Sequence, residues 1–264
     1  MTRSIRRYTS RLEGGPIVPS RRSFLFACCT FAASSRFGST LMAAIPPIEP
    51  DHIILGCRDL DEGIAYAEQV SGYRADIGGS HPGRGTRNAL LKIGERSYLE
   101  ILAPDPEQSQ LNWHKEIVDL PEPLVVGWAL PARDIDRLAA SLRLKGIACV
   151  GPTPGSRVKP NGEVLRWKTL MREDDKQGIL PFYIEWAADS PHPSSDAPGA
   201  CLYRSMRRSG QVIETPAPGP EFHRVVLPNQ EPAQLHVFIA GRFGEFELKS
   251  RAIPSEAWSR RPVS

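Results

Sequence analysis

The chain has 264 residues, a formal net charge of +3, 25 prolines and 22 glycines. That length buries a sizeable core in one large or two small domains, and the density of proline and glycine favours short strands and turns over long helices. Residues 1–44 hold seven arginines against one acid, Glu13, which leaves the remainder at −3 with no electrostatic footprint for nucleic acid.

The stretch Ser20-Arg21-Arg22-Ser23-Phe24-Leu25 resembles the twin-arginine export signal, an arginine pair ahead of a moderately apolar region. It implies a periplasmic or otherwise exported protein; the alternative is a start at Met42 and a cytoplasmic one. No apolar run is long enough to span a membrane. Cys57, Cys149 and Cys201 show no metal-type or redox spacing and read as small buried apolar residues.

The fold is expected to begin at Asp51, after the proline-rich linker Pro46 to Pro50. His52 to Cys57 reads as a buried strand. Asp59 or Asp61 caps a helix with Leu60, Ile64, Ala67 and Val70 on one face, closed by Gly72. A turn-rich segment from His81 to Asn88 leads into a strand at Ala89 to Ile93, and a tight turn at Gly94-Glu95 delivers Tyr98-Leu99-Glu100-Ile101. The order then repeats: a strand at Leu124 to Leu130, a helix opened by Asp134 and closed by Gly146, loops over Pro152 to Lys176, and Tyr183-Ile184-Glu185-Trp186. A duplication explains the spacing, with modules at 51–103 and 124–188 inside a domain at 45–188. Residues 189–264 read as a loop-rich extension with a hairpin at about 235–248, expected to add edge strands to the second module.

Each repeat carries a glutamate in an apolar strand, a costly position unless something pairs with it. Alternation puts Glu100 on the face of Tyr98 and Leu102, and Glu185 on that of Tyr183 and Ala187, so the two acids are expected to converge. His81, Thr86 and Asn88 form a second constellation, in which backbone amides and directional side chains suit a carbonyl or anionic ligand. Trp113, Trp128, Trp167 and Trp186 suit either a pocket wall or the core, and His192 sits in a proline-rich loop after Glu185.

Two βαβββ units, with Asp51-His52-Ile53-Ile54-Leu55, Gly83 to Asn88, Tyr98-Leu99-Glu100 and Phe182-Tyr183-Ile184-Glu185-Trp186, resemble the glyoxalase-like branch of the vicinal oxygen chelate superfamily. The resemblance implies an α+β fold whose two modules form curved mixed sheets around a central cleft. It implies a divalent metal (Zn, Fe, Mn, Ni or Mg) on His52, Glu100 and Glu185, with the two glutamates catalytic, while the second constellation supplies His81, Thr86 and Asn88 as substrate-side candidates. Aligning the helix caps sets Gly127 opposite His52, a departure that leaves one ligand position without a side chain. The implied activity is isomerase, lyase or dioxygenase chemistry on a small molecule with neighbouring oxygens; the alternative is metal-free sequestration of a small molecule in the same cleft. A monomer or a homodimer suits either.

Overall fold

The computed structural model describes residues 49–173, 179–209, 213–216, 222–225 and 234–252. The export-like segment and the Met42 start lie outside the described residues. Among the described residues, no helix is long and apolar enough to cross a membrane.

The first module runs β1 (His52–Gly56), α1 (Leu60–Ser71), β2 (Asp76–His81), β3 (Thr86–Gly94) and β4 (Ser97–Pro104). The second runs β5 (Leu124–Pro131), α2 (Ile135–Leu144), β6 (Cys149–Val158), β7 (Val164–Arg172) and β8 (Phe182–Trp186). Beyond them lie β9 (Leu202–Ser209), β10 (Ile213–Pro216), β11 (Phe222–Val225), β12 (Gln234–Gly241) and β13 (Gly244–Lys249).

Local chemistry sets the helices. The Asp59 carboxylate accepts from the amides of Asp61 (2.9 Å) and Glu62 (3.1 Å) at the start of α1, where Asp61 and Glu62 also complement the positive helix end. Asp134 does the same for α2 through the amide of Arg137. Leu60, Ile64 and Ala67 face inward from α1, and Ile135, Ala139 and Leu142 from α2.

The eight module strands close into a barrel in the order β1-β4-β3-β2-β6-β7-β8-β5. Side chains alternate between its interior, which holds Ile54, Leu102, Leu165, Phe182 and Ile184, and an outer core under the helices, which holds Ile53, Leu55, Ile101, Leu130 and Tyr183. With both faces covered, β1 and β4 are buried almost throughout. Two seams join the modules. At one, β1 runs antiparallel to β5, with His52 opposite Ala129, Ile53 opposite Trp128 and Ile54 opposite Gly127. At the other, Ser80 of β2 meets Val158 of β6.

Two expectations are corrected. The stretch from Pro152 to Lys176, expected as loops, holds the end of β6 and all of β7; proline costs little in β6 because the strand makes so slight a pairing at the β2 seam. The hairpin expected at about 235–248 is β12 and β13, which β9 joins as a third strand, while β10 pairs with β11. The expectation of edge strands on the second module is corrected: among the described residues, the pairing of the C-terminal region with that module is one isolated bridge, Ser250 to Val125 of β5. Val237 and Ile239 of β12 join the outer core beside α1, and the Arg242 amide donates to the Ser71 carbonyl at 2.7 Å.

Candidate functional site

The first seam fixes the internal symmetry. A two-fold axis through the Ile53/Trp128 pair exchanges His52 with Gly127 and Ile54 with Ala129. Strand β4 lays Glu100 beside Ile54, and β8 lays Phe182 beside Ala129. The counterpart of Glu100 is therefore Phe182, three residues before Glu185. Three is odd, so Glu185 faces the other side of its strand.

The expectation that Glu185 shares a site with His52 and Glu100 is corrected by that geometry. Its Oε2 accepts from the Ile135 amide at 2.9 Å, which makes it a second cap of α2 beneath the barrel wall. Phe182 and Ile184 face the cavity in its place, and the Phe182 ring packs edge-on against His52, 5.4 Å between centroids.

Glu100 is 4 % exposed. Its Oε1 accepts from Asn88 Nδ2 at 2.6 Å and lies 3.6 Å from His81 Nε2, while its Oε2 lies 3.6 Å from His52 Nε2. The latter separations exceed a hydrogen bond. Each imidazole is held from behind. His52 Nδ1 donates to Asp51 Oδ1 at 2.7 Å, and its ring stacks on Tyr98. Trp186 Nε1 (3.0 Å) and His192 Nε2 (3.1 Å) approach the other Asp51 oxygen. His81 Nδ1 lies 2.9 Å from Thr86 Oγ1, and its Nε2 lies 3.4 Å from the Asn88 amide nitrogen, which can only donate. The proton of a neutral His81 is therefore on Nδ1.

Burial pushes the His81 imidazole down to about 4, against the pull of Glu100, so it is neutral at neutral pH. Burial works to raise the Glu100 carboxyl, but His52, His81, the Asn88 amide and Arg157 together hold it below its ordinary value. Asp51 sits at about 2, because the hydrogen bonds from His192 and His52 outweigh its own burial. A buried, ionised carboxylate with one oxygen aimed at a fixed imidazole is a proton acceptor held in one geometry.

Of the residues expected at the site, His52, His81, Asn88 and Glu100 converge. Thr86 stands behind His81 as its support. The turn amides expected to face a ligand are already engaged, since those of Gly83 and Gly85 donate to Gln108 Oε1. Trp113, Trp167 and Trp186 line the cavity, whereas Trp128 lies in the outer core with Nε1 on the Ile179 carbonyl. His192, only 8 % exposed, is tied to Asp51.

Sequence reasoning missed Asp51, Arg84, Arg157 and Phe182. The alternation that puts Gly155 and Arg157 on the inner face of β6, opposite Trp167 and Leu165, was the available signal.

A divalent ion of the type expected does not fit these residues. The Glu100 oxygens face different imidazoles, one oxygen is taken by an amide, and two guanidiniums line the same cavity. The second module offers Gly127 and Phe182. Among the described residues, no group of three or more His, Cys, Asp or Glu side chains is placed to hold a metal ion.

A sequence model of the glyoxalase-like domain family matches residues 51–236. Comparison with curated proteins finds no match to this chain. Among solved structures, the chain is similar to a hypothetical protein from Staphylococcus aureus at 15% identity and a TM-score of 0.51, over 78% of this chain and 87% of that one. A Streptomyces coelicolor methylmalonyl-CoA epimerase overlaps 55% of this chain and 99% of its own, at 26% identity and a TM-score of 0.41. The Mycobacterium tuberculosis methylmalonyl-CoA epimerase overlaps 57% and 94%, at 21% identity and a TM-score of 0.39.

Proposed function

The chain belongs to the glyoxalase-like domain family, and from that premise we propose that it is an enzyme of proton transfer next to a carbonyl, an isomerase or lyase in which Glu100 is the base. The observation that carries the reading is the Glu100 carboxylate itself, buried and ionised between His52 and His81 with Oε2 left towards the cavity. A substrate C–H that reaches Oε2 from the cavity gives its proton to the carboxylate, and the electron pair of the broken bond moves onto the carbonyl oxygen as an enolate. With an α-hydroxy carbonyl substrate, passage of the hydroxyl proton to the enolate oxygen and return of the Glu100 proton to the former carbonyl carbon makes an isomerase; expulsion of a neighbouring leaving group makes a lyase. Asp51 keeps His52 in place throughout, and Asn88 keeps the carboxylate from rotating.

Sequestration is the second reading. It is supported by the aromatic wall of Trp113, Trp167 and Trp186 together with an apolar Phe182 where the symmetry calls for a second acid. One experiment separates the two. Small carbonyl compounds are incubated with protein in D₂O, and exchange of their α-protons is followed by NMR. The enzyme reading expects exchange that Glu100→Gln reduces by roughly 10²- to 10⁴-fold. Binding of the same compounds without exchange, unchanged in Glu100→Gln, supports sequestration.

A further inference from the structure

Arg157 is 3 % exposed, lines the cavity, and forms no ion pair with a carboxylate among the described residues. Its Nη1 donates to Asn88 Oδ1 at 3.3 Å, a long bond, and its Nε is buried without a partner. A buried guanidinium so poorly matched is costly. Arg84 reaches the same cavity from the turn between β2 and β3, half-buried, with its guanidinium carbon 4.8 Å above the Trp113 ring and 5.9 Å from that of Trp167.

Two glycines make room for this pair. A Cβ on Gly78 would come 2.5 Å from Arg157 Nη1, and one on Gly155 would come 2.5 Å from Trp167 Nε1 and 2.9 Å from Arg84 Nη2. The backbone is thus cleared to let two cationic side chains approach Glu100, among the described residues the one carboxylate that lines the cavity. Two guanidiniums stand against one carboxylate, whose Oε1 is already bonded to Asn88, so positive charge is in excess where they meet.

We propose that Arg157 and Arg84 form an anion-binding subsite beside Glu100, and that the molecule bound there is a small carboxylate. This names the substrate class of the proton-transfer site and rests on that reading only for what happens after binding: a carboxylate gripped by the guanidiniums presents its neighbouring carbon to Glu100. Planar two-point pairing is what guanidinium offers a carboxylate. The free space in the cavity is about 20 Å³, room for one water-sized body. A carboxylate therefore enters as the lining side chains give way, and tryptophan fluorescence, to which Trp113, Trp167 and Trp186 of the lining contribute, reports the event.

The test is titration of the full chain with malonate and with neutral malonamide, followed by calorimetry and tryptophan fluorescence. Malonate is expected to bind at least about tenfold more tightly than malonamide, and Arg157→Met and Arg84→Met each to weaken malonate by roughly tenfold or more. Arg84 is half-buried, so its variant keeps the fold even where Arg157→Met does not. Equal binding of malonate and malonamide overturns the subsite, as does malonate affinity that survives Arg84→Met and a folded Arg157→Met. Glu100→Gln separates the two claims. It is expected to leave malonate binding intact or tighter, since it removes a nearby negative charge, while abolishing α-proton exchange. Retained exchange in that variant, with malonate still lost in the arginine variants, defeats the proton-transfer reading and leaves the subsite standing.

Discussion

Strands β4 and β8 carry nearly the same word, Tyr-Leu-Glu-Ile and Tyr-Ile-Glu-Trp, and put it to opposite uses. In β4 the glutamate faces the barrel interior between two histidines. In β8 it faces outward and caps a helix, while Phe182 and Ile184 look in. The words align with each other, but the strands do not: relative to the β1/β5 axis the second word is displaced by three residues, and any odd displacement changes the face. Symmetry of the backbone thus survives where symmetry of the site does not. Module one carries the buried carboxylate and both imidazoles, and module two contributes an apolar wall and Arg157.

The strongest way to break this comparison is to neutralise the two acids in turn. Glu100→Gln should reduce α-proton exchange by roughly 10²- to 10⁴-fold, whereas Glu185→Gln should leave it within about twofold, a change of less than about 0.5 kcal/mol. Similar losses in both would mean that Glu185 reaches the cavity. The axis itself is tested by rebuilding module two as a donor half. Gly127 has room, since a Cβ there meets nothing nearer than 3.6 Å. The double variant Gly127→His, Phe182→Glu should bind Zn²⁺ at least about tenfold more tightly than the wild-type chain in competition with a chromophoric chelator. Gly127→His alone should gain nothing, because Glu185 points away; a gain in the single variant would restore the word-to-word alignment. Removing Phe182 costs about 3 kcal/mol or more, so the melting temperature of the double variant should fall.

Much of module one was legible because its signals are local. His52 opens a strand and Glu100 interrupts an apolar one, while Asp59 and Gly72 bracket an amphipathic helix; each is read from its neighbours in sequence. The repeat was legible from helix caps, which also set Gly127 correctly against His52. What failed depended on register. Nothing near Glu185 tells which face of β8 is inward, and only pairing with β5 decides it. Arg157 was hidden for a related reason. It lies in a stretch whose prolines and glycines read as loop, and its partner Asn88 is 69 residues away across the β2/β6 seam. Asp51 was read only as the start of the fold, because two of its three partners, Trp186 and His192, come from distant parts of the chain and only His52 is next door.

His81 sharpens the comparison from the side of pH. Its imidazole titrates at about 4 when buried and near 6.5 when the chain is unfolded. Between those values the unfolded chain takes up a proton that the folded one refuses. Stability contributed by the neutral ring is therefore complete above about pH 6.5 and lost as pH falls towards 4, by an amount on the order of 3 kcal/mol. Asp51 adds a further loss below about pH 4, where the unfolded chain's carboxyl takes up a proton that the folded one, held at about 2, refuses. Urea midpoints at pH 4.5 and 7.5 should separate clearly in the wild-type chain and draw together in His81→Gln. An unchanged separation would place the acid sensitivity elsewhere.

The smallest effect falls on the outward glutamate. Glu185 closes one hydrogen bond to the first amide of α2, alongside the Asp134 cap, so Glu185→Ala should destabilise the fold by about 1 kcal/mol. Lys168 lies near it but pairs with Asp136 at 2.7 Å, so no buried cation is stranded by the change. The loss should appear as a lower urea midpoint with an unaltered slope, and as faster amide exchange confined to the first turn of α2. A loss several times larger, or one spreading to β4, would mean that this carboxylate supports the barrel interior as well as the helix. A loss confined to the first turn fits its place outside the barrel, where the β8 register has put it.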